Sequence, residues 1–124
     1  MDILLIIGAI FAVVIGAAHS YLGERYILVR LFRRSNLPKL FGSDVFTKQT
    51  LRFAWHLTTI AWIGLASVIL IGVVVNSSGQ LSVILKAISL TFLISAIVTL
   101  FASRGRHFAW IVFLSISFLV WMGS

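Results

Sequence analysis

The stretch FAWHLTTIAWIGLASVILIGVVV, Phe53 to Val75, holds 23 residues and no Asp, Glu, Lys or Arg. A helix needs about 20 apolar residues to cross a hydrocarbon core about 30 Å thick. A helix apolar on every face is either deep in a large core or in lipid, and a chain of 124 residues has no such core to offer. Phe53–Val75 therefore reads as a membrane span.

Two further stretches read the same way, about Ile3 to Leu22 and about Leu81 to Ala102. A fourth, about Phe108 to Met122, is shorter; starting it near Ser103, with Arg104 and Arg106 reaching back to the interface, would lengthen it. Composition agrees: 60% of residues are hydrophobic and 10% charged, against about 45–50% and about 25% in soluble domains. Mean hydropathy is +1.12. The expected fold is all-α, a polytopic membrane protein with a four-transmembrane-helix bundle as one domain over 1–124. Helices keep every backbone hydrogen bond internal, which lipid requires. The amino terminus has Asp2 and no early Lys or Arg, so the first apolar stretch reads as a retained helix rather than a cleaved signal.

The net charge is +7. In a soluble protein this balance suggests nucleic acid; here the cations flank apolar stretches, and nucleic acid is not an expected partner. Arg25, Arg30, Arg33, Arg34, Lys39, Lys48 and Arg52 fall between the first two spans, and Arg104 and Arg106 between the last two. The middle connection, NSSGQ, has none. The positive-inside rule then puts both basic connections in the cytoplasm and both termini in the periplasm. The basic segment, about 23–52, begins as a helical continuation of the first span, with Arg30, Arg33 and Arg34 on one face. Pro38 ends the pattern, and Ser43 or Asp44 is placed to cap a helix running through Thr47 and Lys48 into the second span. Anionic headgroups on the cytoplasmic face are the expected partners of Arg30, Arg33 and Arg34.

Gly8, Ala12, Gly16 and Ser20 recur at every fourth position. Such stripes let membrane helices approach closely. Packing within the bundle is the simpler expectation and a homo-oligomer contact the sharper one. Thr58, Thr59, Ser67, Ser89, Ser95 and Thr99 are expected to bond carbonyls of their own helices. Lys86, one turn inside the third span, is expected to snorkel outward, with Asp2 as an acidic partner on that side. Trp55, Trp110 and Trp121 suit interfacial belts, whereas Trp62 is deeper and reads as a packing residue.

His19 ends the first span, His56 opens the second and His107 precedes the fourth. The proposed topology puts all three at one depth, with Glu24 just beyond His19 and Gly23 on the His19 face. Imidazole suits Zn, Cu, Fe and Ni, and three histidines with a carboxylate make a plausible zinc set. His19, His56, His107 and Glu24 are thus the candidate metal ligands, and His19 with His56 the candidate pair for haem iron. No compact metal motif accompanies them, and the absence of cysteine excludes thiolate ligands. Proton or substrate handling, or simple interhelical hydrogen bonding, uses the same residues.

HSYLGERYIL, His19 to Leu28, and RFAWHLTTIAWIGLA, Arg52 to Ala66, resemble pieces of small uncharacterised bacterial four-helix inner-membrane proteins. The resemblance covers roughly the first two spans and implies a bacterial inner membrane and four helices, but no activity. Small multidrug exporters are similar in size and span number, yet their membrane-embedded glutamate has no counterpart here, since Glu24 stands among arginines at a span end. The leading functional class is a binding or redox-accessory protein with a cytoplasmic-side metal or haem site. The alternatives are a small oligomeric transporter or channel, and a lipid-binding or assembly factor without chemistry. An enzyme is the least supported class.

Overall fold

The structure is a computed structural model and describes residues 2–75, 79–102, 104–105 and 108–124. Helix α1, Asp2–Leu22, passes into a π-helical segment, Gly23–Leu28, and then a short α2, Val29–Leu31. Helix α3 spans Val45–Val74, α4 Gly79–Ala102 and α5 Ala109–Gly123. The described residues form no named strand; one isolated bridge, Leu40 to Ser43, closes a turn whose centre, Phe41 and Gly42, has φ of 56° and 87°.

Three helical stretches, Asp2–Leu31, Val45–Val74 and Gly79–Phe101, are long and apolar enough to cross a membrane. Only 28%, 22% and 28% of their most apolar windows are buried in the protein. The rest of that apolar surface faces outward, as in Ile10, Val14, Ile60, Leu90, Ile94 and Val98, and lipid is the solvent that suits it. The protein is an all-helical, multi-pass membrane protein. Helix α5 has 15 residues, about 22 Å at 1.5 Å per residue, less than a full span of about 30 Å. Of the four expected spans three have the length to cross a membrane, and the fourth is the short apolar helix α5 that the sequence also reads as short.

Helix α1 is the centre of the packing, with α3 on one side and α5 on the other; α4 packs chiefly on α5. The small-residue stripe explains this arrangement. Gly8, Ala12 and Gly16 are buried. A β-carbon on Gly8 would lie 3.2 Å from a Val120 methyl of α5, and one on Gly16 would lie 3.4 Å from the Thr59 methyl of α3. The stripe serves packing within the bundle. Leu5, Ala9, Ala12, Ile69, Leu85, Phe92, Ile116 and Val120 fill the core around it.

Contacts fix the ends of the bundle. Gly8 of α1 meets Val120 of α5, and Lys86 of α4 lies 5.8 Å from the ring centroid of Trp121. The start of α1, the start of α4 and the end of α5 therefore share one end. Arg25, Arg52 and Arg104 lie at the other. Lys86 takes the Trp121 face as its partner, not Asp2, which makes no ion pair with it. Helix α3 begins well before its apolar part, as the sequence suggests, and Asp44 at its start pairs with Lys48 at 2.8 Å. Thr47 donates to the Pro38 carbonyl at 2.8 Å, tying the turn to the helix.

Candidate functional site

The site lies where the end of α1 and the π-helical segment cross the start of the apolar part of α3. The two helices run antiparallel here, since Trp55 meets His19 and Thr59 meets Gly16. A π turn widens the helix, and such turns cluster at functional sites. Gly23 opens this one. Any β-carbon at Gly23 would run into the Trp55 indole, so glycine is what lets the ring lie against the backbone.

His19 and Trp55 clasp each other. The His19 Nε2–H donates to the Trp55 carbonyl at 3.2 Å, and the Trp55 indole N–H donates to the His19 carbonyl at 3.0 Å. Their rings stack at 4.6 Å with planes 4° apart. Trp62 meets the other side of His19 edge-on at 5.1 Å and continues to Phe113 of α5 at 5.2 Å. Trp62 is a packing residue, as its depth suggests. Trp55 is part of the site rather than a belt residue alone.

His56 is held at both ring nitrogens. Its Nε2 lies 3.1 Å from Glu24 Oε2, and its Nδ1 lies 2.8 Å from Ser20 Oγ. Ser20 Oγ is 2.6 Å from Thr59 Oγ1, which donates to the Gly16 carbonyl at 3.0 Å. Arg52 grips the same carboxylate twice, at 2.9 Å to Oε1 and 3.3 Å to Oε2. Bidentate pairing of this kind fixes orientation as well as charge. The polar chain runs inward from Glu24 to the Gly16 carbonyl, roughly 12 Å along the helix at 1.5 Å per residue. Past that point the α1–α3 contact is apolar, with Ala12, Ala66 and Ile69 buried.

Of the residues the sequence offers as ligands, the structure brings His56 and Glu24 into contact. It places His19 beside them in the Trp55 clasp, with a different set of bonds. His107 lies outside the described residues. Among those described, no group of three or more His, Asp or Glu side chains is arranged to hold a metal ion. Arg30, Arg33 and Arg34 are exposed, with Arg30 lying 5.9 Å from the Tyr26 ring centroid.

Ser20, Arg52, Trp55 and Thr59 join the site although sequence reasoning gave them other roles. Their signal was spacing. Ser20 near the end of α1 and Glu24 in the π-helical segment are four apart, while Arg52, His56 and Thr59 are four and three apart on α3, a spacing that puts each set on one helix face. Thr59 was expected to bond its own helix and instead reaches across to α1. Ser89 likewise reaches α5, donating to the Ser117 carbonyl at 2.7 Å. Thr58, Ser67 and Ser95 do bond back to their own helices. A crossing bond is available to Thr59 and Ser89 because both are buried against a neighbouring helix.

Two shallow grooves flank His56. One, about 630 Å³, has Phe46, Phe53, Leu57 and Ile60 as its apolar wall and Gln49 and Arg52 at its polar end. The other, about 540 Å³, is lined by Ala17, Ser20, Tyr21, Glu24, Arg25 and His56. His56 lines both. Comparison of the chain with protein-family models, with curated proteins and with solved structures gives no match.

Proposed function

We propose that the protein is a small binding protein of a bacterial inner membrane, with its arginine-rich end in the cytoplasm, that holds an anionic amphiphile at the His56 site. The carrying observation is that His56 is shared by two grooves and each groove has an arginine, Arg52 on one and Arg25 on the other. Their volumes fall in the range of about 300–1,000 Å³ common to small-molecule sites. An acyl chain fits the Phe53, Leu57 and Ile60 wall, and an acidic headgroup complements the cations at its cytoplasmic end. Arg30, Arg33 and Arg34, farther along the same helical arm, extend the attraction to anionic lipid. Orientation follows from the basic connections, and the bacterial inner membrane from the resemblance in the first two spans.

A transition metal or haem iron would have to take a His56 nitrogen from Glu24 or Ser20 and draw His19 out of its clasp with Trp55. The hydrogen bonds already made favour the amphiphile.

The test uses full-length protein reconstituted in phosphatidylcholine vesicles containing a minor fraction of phosphatidylglycerol, then extracted into mild detergent and weighed by native mass spectrometry. Preferential retention of phosphatidylglycerol, lost in the Arg25→Gln, Arg52→Gln double variant, supports the proposal. Retention of the two lipids in proportion to their abundance overturns it.

A further inference from the structure

We propose that the turn Leu40–Ser43 is a docking knob for a water-soluble protein. Phe41 is the side chain that enters an apolar pocket of that protein, and Arg33, Arg34 and Lys39 are the cations that meet carboxylates around the pocket. Phe41 lines neither groove beside His56, so the inference does not depend on what those grooves hold.

Phe41 stands where local physics does not favour phenylalanine. The Leu40 N–H donates to the Ser43 carbonyl at 2.9 Å and the Ser43 N–H to the Leu40 carbonyl at 3.3 Å, closing the turn. Both central residues have positive φ, 56° at Phe41 and 87° at Gly42. Glycine takes that conformation freely, and asparagine takes it more readily than a bulky side chain does. The Phe41 ring gains no burial in return, since it is 91% exposed. It meets Phe46 edge-on at 5.2 Å, and Phe46, Leu40 and Val45 are exposed as well. The turn is nevertheless held firmly. Thr47 donates to the Pro38 carbonyl at 2.8 Å, and Lys48 pairs with Asp44 at 2.8 Å. A strained backbone that holds an aromatic ring out into water, beside further exposed apolar groups, marks a contact surface.

Depth and charge select the occupant. Residues Val45–Arg52 precede the apolar part of α3, and their rise is about 12 Å at 1.5 Å per residue. One headgroup layer is about 5–8 Å thick, and a tilt of about 20° removes about 1 Å of the rise. The knob therefore stands in water, clear of its own bilayer. A second copy of the chain is repelled. None of Arg33, Arg34 and Lys39 pairs with a carboxylate among the described residues, so two knobs would meet with like charge. Nucleic acid suits the cations, but Leu40 and Val45 offer no ring on which a base can stack. A protein pocket with an acidic rim suits both parts of the knob. Interface centres favour a buried aromatic anchor, and complementary charges around it set orientation and encounter rate.

The test places p-benzoylphenylalanine at position 41 of the full-length protein, irradiates intact cells of the native host, and identifies the cross-linked peptide by mass spectrometry. The expected result is an adduct with one other protein, at an apolar residue flanked by Asp or Glu, that is lost when Arg33, Arg34 and Lys39 are changed to glutamine. A second probe separates loss of the anchor from loss of the turn. With p-benzoylphenylalanine at position 46 the same partner should be caught, and Phe41→Asn, which suits the turn better than phenylalanine, should abolish that adduct. An adduct with lipid, with nucleic acid or with a second copy of this chain overturns the proposal, as does the absence of any adduct. So does a protein adduct that survives either the glutamine changes or Phe41→Asn.

Discussion

His19 and Trp55 each donate a side-chain N–H to the other's backbone carbonyl while their rings stack at 4.6 Å. The pair joins α1 and α3 through four groups at once, and each half requires the backbone of the other to come close. Gly23, one helical turn after His19, supplies the room. Helix contact, π turn and ring stacking are therefore one arrangement, and a change in any of the three residues should disturb the others.

Gly23→Ala tests the close approach. The added β-carbon collides with the Trp55 indole, so the ring must move and its hydrogen bond to His19 be lost. Overpacking of this kind costs about 1–3 kcal/mol. Gly64 provides the control, since a β-carbon there meets nothing within 4 Å and alanine is the better helix former by up to about 1 kcal/mol. Thermal unfolding in detergent should show a clear loss for Gly23→Ala and no loss for Gly64→Ala. Equal stability of the two variants would mean that Trp55 does not sit on Gly23.

Trp55→Phe separates stacking from hydrogen bonding. The ring remains aromatic, and the indole N–H that reaches His19 is gone. Loss of one part-buried hydrogen bond costs about 0.5–1.5 kcal/mol. Trp55→Ala removes the stacked surface as well and should cost more than Trp55→Phe, though less than truncation of a fully buried aromatic, since Trp55 is half-buried. A phenylalanine variant as damaged as the alanine variant would assign the whole contribution to the indole nitrogen.

Ser89→Ala tests a polar contact far from the site. The hydroxyl is buried and bridges α4 to the Ser117 carbonyl at 2.7 Å. Interhelical hydrogen bonds in membranes average about 0.6 kcal/mol, because the separated helix can bond its own carbonyl instead. A small loss of that order is expected, measured by the same unfolding assay. A loss several times larger would show that Ser89 cannot turn back to its own helix.

The spans were legible because lipid imposes a length and an apolar composition that few sequences meet by chance. The stripe of Gly8, Ala12 and Gly16 was legible as packing for the same kind of reason: it has one use at helical spacing. Depth put His19, His56 and His107 in one layer with Glu24 just beyond; the structure joins His56 to Glu24, and His107 lies outside the described residues. What depth cannot supply is the direction each residue faces around its helix. The π turn at Gly23–Leu28 shifts that direction within the site itself, and nothing in GERYIL announces it. His19 and His56 stand on different helices and face different groups, Trp55 for the one and Glu24 with Ser20 for the other. Thr59 was misread for a related cause. A membrane threonine has a carbonyl of its own helix within reach, and here Gly16, which lacks a side chain, lets α3 come close enough for the Thr59 hydroxyl to reach the Gly16 carbonyl instead. The shortness of the fourth apolar stretch, Phe108 to Met122, was legible and is that of α5, Ala109–Gly123, whereas the partner of Lys86 depended on a neighbouring helix, which hydropathy does not encode.

Orientation can be tested without touching the site. Arg25, Arg52 and Arg104 lie at one end of the bundle, and Lys86 lies at the other over Trp121. Basic residues near span ends are held on the cytoplasmic side, and the middle connection carries no basic residue to oppose them. A reporter that is active only in the periplasm, fused after Ser124, should therefore be active, and a cytoplasmic reporter at the same position silent. The charge bias also makes a specific reversal available. Placing three lysines at positions 76–78 while replacing Arg25, Arg30 and Arg33 by glutamine should shift part of the population to the opposite orientation, because the two ends would then differ far less in charge. Cytoplasmic activity of the wild-type fusion would invert the proposed topology. The polar site would then open to the periplasm, and the headgroups available to Arg25 and Arg52 would be those of the outer leaflet.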